Sequence, residues 1–139
     1  MTEHDIDRPL LLCLDLEAGS RELAEAAAAW VRRCGWAVHV LHVLQSPLGE
    51  ADRQQHRERL RQLCGEVFPE LGGDRLHVEE GIPEDVIVAV AQRLDSGPIL
   101  LGRRRRQTVE RIYVGSTTSA VISLARRPVL VIPLAADHP

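Results

Sequence analysis

Residues 102 to 116 concentrate side chains suited to holding an anion. Arg103, Arg104, Arg105, Arg106 and Arg111 stand there against Glu110, a local charge of +4 in a chain whose net charge is −3. Gly115-Ser116-Thr117 follow at the start of an apolar helical pattern. The first N–H groups of a helix lack intrahelical acceptors, so a Gly-Ser pair there offers amides and a hydroxyl to a phosphate. Guanidinium groups add charge-assisted, bidentate contacts to the same oxygens. A second signal is Asp15, an acid that ends the apolar run Leu10-Leu11-Leu12-Cys13-Leu14. Each has a plainer alternative: Arg103 to Arg106 as a solvated basic loop, Asp15 as a cap on the nearby turn.

The elements that must position these residues follow from periodicity. Arg8 to Asp15 reads as a strand buried on both faces, since its apolar run is continuous rather than alternating. Leu23, Ala26, Ala27, Trp30, Val31 and Cys34 recur at helical spacing, with Ser20 or Gly19 to open the helix and Gly35 to close it. Ala37 to Val43 is valine-rich and predicts strand two. Its His39 and His42 have opposite parity, so they face opposite sides and are expected as hydrogen-bonded structural histidines rather than one site. From Glu50, Leu60, Leu63, Cys64, Val67, Phe68 and Leu71 mark helix two. Leu76 to Glu79 is short and polar, which suits a strand at a sheet edge. Pro83, followed by Glu84 and Asp85, opens helix three with Val86, Ile87, Val90, Ala91 and Leu94 inward. Pro98 to Gly102 is strand four, 116 to 126 helix four, and Val129 to Ile132 strand five.

Helices between essentially all strands imply a single α/β domain over residues 1 to 139. The expected form is an open, doubly wound, parallel five-stranded sheet with helices on both faces. Ligands of such sheets bind beyond the carboxyl ends of the strands, where strand order reverses. If the order is 3-2-1-4-5, strands one and four flank that point, and Asp15 comes to lie beside the arginine stretch.

Composition narrows the classes. At 139 residues with 45% hydrophobic and 27% charged residues, the chain suits one soluble globular domain. It contains no apolar run of about eighteen residues, and Met1 to Asp7 is acidic and polar, so no membrane span and a cytoplasmic location are expected. The three cysteines match neither a disulfide framework nor a zinc knuckle, and are expected as reduced, buried, small hydrophobes. With pI near 6.1 and no aromatic residue among Arg103 to Arg106, nucleic acid is a poor partner. Neither a Gly-x4-Gly-Lys-Ser/Thr loop nor a Gly-x-Gly-x-x-Gly turn occurs, which removes P-loop and dinucleotide readings.

Asp15 after strand one, Leu41-His42-Val43 closing strand two, Gly102 through Gly115-Ser116, and Arg127-Pro128-Val129-Leu130-Val131-Ile132-Pro133 together resemble the universal stress proteins, over nearly the whole chain. Members that bind ATP carry Gly-x2-Gly-x9-Gly-Ser/Thr after strand four. Here Gly102 and Gly115-Ser116 match in register, and Arg105 stands at the middle glycine. The resemblance implies the 3-2-1-4-5 sheet and an adenine nucleotide, ATP among them, with Mg²⁺ only if nucleotide is bound. It places Asp15 near the ribose and phosphates, the Val43 backbone against adenine, and Gly102, Gly115 and Ser116 around the phosphates; Arg104, Arg105 and Thr117 of the same stretch are further candidates for the site. It also implies a homodimer through strand five, Val129 to Ile132. Arg105 loses the backbone freedom of glycine and puts a side chain in the phosphate path, although a guanidinium is itself a phosphate ligand. Obstruction is the expected effect, because neighbouring arginines already supply charge. The implied role is a cytoplasmic binding and signalling module. The alternatives are a nucleotide-free protein docking partners through Arg103 to Arg106, and a slow nucleotide hydrolase for which Asp15 is the one clear carboxylate.

Overall fold

The computed structural model describes residues 8–45, 48–104 and 115–135. Its elements run β1 (Leu10–Cys13), α1 (Ser20–Cys34), β2 (Val38–Leu44), α2 (Glu50–Val67), β3 (Leu76–Glu80), α3 (Pro83–Arg93), β4 (Ile99–Arg104), α4 (Ser116–Leu124) and β5 (Val129–Leu134). The strands form one sheet in the order β3-β2-β1-β4-β5, with every neighbouring pair parallel. The expected doubly wound fold and its strand order are thus observed. Among the described residues, no helix is long and apolar enough to cross a membrane.

Continuous apolarity in β1 has the cause expected of it. Leu10, Leu12 and Leu14 face a core built with Leu23, Ala24 and Ala27 of α1 and Leu60 and Cys64 of α2. Leu11 faces the opposite core, with Ile87, Val90 and Ala91 of α3 and Val121 of α4. A strand sandwiched between helices has no solvent side, so alternation disappears.

Helix α1 closes as its sequence requires: Gly35 takes φ 70°, and its N–H donates to the Val31 carbonyl at 2.8 Å. Its buried stripe is rotated from the expected one. Ser20, Leu23, Ala24, Ala27 and Ala28 are buried, while Trp30 is 45% exposed and Cys34 is exposed. Small alanines let the helix lie close to the sheet, and an alanine-rich run carries no size contrast by which periodicity could set the phase. Of the three cysteines expected to be buried, Cys64 is buried, Cys13 is partly buried and Cys34 lies on the surface.

Two more boundaries differ. Strand β4 continues through Gly102 to Arg104, in register with Ile132 to Leu134 of β5, so Gly102 lies within the strand rather than at the opening of a loop. Helix α4 stops at Leu124, two residues short of the expected end, and Leu124 is 50% exposed. Pro128 displaces the chain from helix before it is reached.

The histidines of β2 do face opposite sides, and each is hydrogen-bonded. His39 Nδ1 lies 2.9 Å from His77 Nε2, and Arg75 Nη1 lies 3.2 Å from His39 Nε2. A guanidinium can only donate, so His39 Nε2 accepts and its Nδ1–H donates to His77. On the other face, His42 reaches the Leu14 carbonyl and His56 of α2.

Candidate functional site

At the carboxyl end of β1 the chain leaves the sheet through Leu14, whose N–H still donates to the Leu41 carbonyl at 2.9 Å. Asp15 follows. Its Oδ1 accepts the Glu17 N–H at 2.9 Å and the Ser20 hydroxyl at 3.0 Å, which folds the β1–α1 connection back into the start of α1. Leu16 is buried with φ 60°, a left-handed conformation that costs a leucine roughly 1–2 kcal/mol. Its carbonyl accepts Arg59 Nη2 of α2 at 2.6 Å. The capping role weighed for Asp15 is therefore real, and Asp15 nonetheless also lines a cleft.

That cleft opens where strand order reverses, between β1 and β4. Cys13, Leu41, Val43 and Leu101 from the strand ends and Ile87 from α3 make an apolar floor. Asp15 and Ser20 stand on one wall, Thr117 and Thr118 on the other, with Gln45 and Pro83 at the margin. The described walls enclose about 180 Å³. Pockets that bury whole drug-sized ligands measure roughly 300–1,000 Å³, so a ligand of that size would extend beyond these described walls. Burial pushes the Cys13 thiol up, which keeps it protonated and poorly nucleophilic.

Four residues expected at the site from sequence, Asp15, Val43, Gly102 and Thr117, line this one cleft. Gly115 is the N-cap of α4 and Ser116 its exposed first residue, beside Thr117. A Cβ on Gly115 would meet no described atom within 4 Å. Gly102 is different: a Cβ there would lie 2.9 Å from Leu134 Cδ1 and 3.1 Å from Leu23 Cδ2. Packing within the protein accounts for that glycine. Arg104 contributes the last residue of β4, and Arg105 and Arg106 lie outside the described residues. Ser20, Gln45, Pro83, Ile87 and Thr118 also line the cleft and were not expected there from sequence. Ser20 and Thr118 sit close to Asp15 and Thr117 in sequence and could have been found that way; Pro83 and Ile87 reach the cleft only through the crossing of α3.

The universal stress protein family model matches residues 8–133. The chain belongs to the universal stress protein family. Universal stress protein E of Escherichia coli (strain K12) is 34% identical over 90 residues, which are 63% of this chain and 27% of that protein's length. The structure of a universal stress protein from Archaeoglobus fulgidus superposes with a TM-score of 0.70 at 25% identity, covering 90% of this chain and 98% of the other. A universal stress protein structure from the same organism in complex with dAMP gives 0.66 at 25% identity, covering 91% and 98%. In this universal stress protein Gly102 lies in β4 and lines the cleft, while Gly115 and Ser116 open α4, whose Thr117 and Thr118 line it.

Proposed function

We propose that this universal stress protein binds an adenine nucleotide at the carboxyl ends of β1 and β4. The observation that carries the reading is the convergence of Asp15 and the N-terminus of α4 on one cleft with an apolar floor. An adenine ring is flat and largely apolar on its faces, which suits Val43, Ile87 and Cys13. A ribose hydroxyl can donate to the Asp15 carboxylate, and phosphate suits the amides of Ser116 to Thr118, which have no acceptor within the helix, and the hydroxyls of Ser116 and Thr117. The dAMP held by the Archaeoglobus fulgidus protein supports the same ligand class. A triphosphate would bring Mg²⁺ with it, bridging its β- and γ-phosphate oxygens.

Isothermal titration of dAMP, ADP and ATP tests the proposal. Ser116→Ala is expected to weaken binding by roughly 1.5–3 kcal/mol, about tenfold to more than a hundredfold, through loss of a hydrogen bond to charged phosphate. Absence of heat from the wild type with all three nucleotides at millimolar concentration would overturn it.

The same proposal includes a homodimer through β5. Val129, Leu130, Val131 and Ile132 are all half-buried on the outermost strand, and Ile122 and Leu124 of neighbouring α4 are each 50% exposed. An apolar edge strand with unpaired backbone groups is a liability unless covered.

A further inference from the structure

Three successive residues of the β1–α1 connection, Leu14, Asp15 and Leu16, are held at their backbone or side chain, the first from β2 and the last from α2. The Leu14 carbonyl is 2.8 Å from His42 Nδ1, and the Leu16 carbonyl accepts Arg59. A carbonyl only accepts, so His42 carries its proton on Nδ1 and, when neutral, presents a lone pair at Nε2. His56 Nδ1 lies 3.0 Å from that Nε2, and the two rings are within 11° of parallel. The bonds therefore run in one direction, from His56 on α2 through His42 on β2 to the carbonyl next to Asp15. His56 and Arg59 are three residues apart, on one face of α2. Between them, Asp15 is aimed into the cleft by a loop that includes a leucine in a left-handed conformation.

We propose that the His42–His56 pair is a proton-sensitive positioning relay for Asp15, holding the 14–19 loop in its binding conformation at neutral pH and releasing it in acid. One added proton leaves an N–H···N bond between the rings, whichever ring carries it. A second puts two N–H groups face to face at a separation that only a donor and an acceptor tolerate, and the bond is lost; His42 keeps its Nδ1–H on the Leu14 carbonyl, and what loosens is the α2 side, whose Arg59 holds the Leu16 carbonyl. The charged groups around His42 come from each neighbouring element: Asp15 from the loop, and His56 and Arg59 from α2. Arg53 of α2 is itself paired with Glu80 at the end of β3. Burial holds His42 below the ordinary imidazole range, and the charges of His56 and Arg59 act the same way, while the Leu14 carbonyl and Asp15 oppose them. Double protonation thus belongs to acid conditions. The consequence for nucleotide affinity rests on the proposed function; the response of the loop does not.

The test is amide hydrogen exchange of residues 14–19 at pH 7.5 and 5.0, corrected for intrinsic rates, alongside dAMP titration at both values. Wild type, His56→Gln and His56→Leu are compared. Glutamine can donate to neutral His42 or accept from its cation, whereas leucine can do neither. In the wild type, exchange of the loop should rise about tenfold in acid and dAMP affinity should fall by a similar factor. His56→Gln should match the wild type at pH 7.5 and change less than threefold, and His56→Leu should show the loosened loop at both values. Because a nucleotide phosphate titrates near pH 6, affinities are read as ratios of variant to wild type at each pH. Loop exchange in the wild type that ignores pH, or an equal acid response in His56→Gln, would overturn the relay. If dAMP fails to bind at any pH, the proposed function fails, and the exchange measurements alone still support or overturn the relay.

Discussion

Two glycines in this chain belong to the same motif and have different physical reasons. A Cβ on Gly115 would meet none of the described atoms. Gly102 is filled against by Leu134 and Leu23, and Leu134 Cδ1 also comes within 3.0 Å of where a Cβ on Gly19 would stand. One leucine from the end of β5 is therefore seated between two glycines, one on β4 and one at the N-cap of α1, whose φ of 94° already favours glycine. Gly102→Ala is expected to destabilise the fold by about 1–3 kcal/mol through overpacking. Urea denaturation measures it, and Leu134→Ala in the same chain should recover part of the loss. An alanine at 102 with wild-type stability would show that Leu134 has room to turn aside.

Among the elements, β5 carries the sharpest expectation. It lies at the end of the sheet, its four apolar residues are half-exposed, and Ala135 beyond it donates its N–H to the Glu22 carboxylate of α1 at 3.2 Å. The last strand is thereby tied to the helix that starts beside Asp15. If β5 is the proposed dimer edge, Val131→Arg should convert dimer to monomer or drive the protein out of solution, because a guanidinium buried in that seam is left unpaired. Sedimentation of the wild type as a monomer at micromolar concentration would remove the proposal. The opposite edge, β3, has Glu79 paired with Arg93 and Glu80 with Arg53, and charge of this kind discourages strand addition.

For the whole molecule, the two histidine pairs on either face of the sheet predict acid sensitivity. Burial is the first cause of a lowered proton affinity at His39, His42 and His77, each held below 6.5. The unfolded chain then binds more protons than the folded one as pH falls through 6.5, so acid favours unfolding. Stability from these groups is complete above that value and is lost progressively as pH falls toward their folded-state values. The urea midpoint should drop between pH 7.5 and 5.5 with little change in m-value, and His77→Gln should reduce the drop. A midpoint that holds steady or rises over that interval would contradict the assignment of neutral rings.

Local chemistry by itself determined the element order, the two-sided burial of β1, the glycine closure of α1 and the proline start of α3, because each depends on residues adjacent in sequence. From that alternation, the parallel sheet and the location of a cleft beyond β1 and β4 were also legible, and Asp15, Val43, Gly102 and Thr117 do meet there. The tertiary structure decided what depends on distant partners. The phase of α1 turned on which alanines met the sheet, and the reason for Gly102 turned on Leu134, thirty-two residues away on the neighbouring strand. His42 and His56 read as unrelated in sequence because one lies on a strand and the other on a helix, and it is the packing of α2 on β2 that brings their nitrogens to 3.0 Å. Short-range periodicity records which side of an element is apolar; it carries no information about which particular side chain stands opposite.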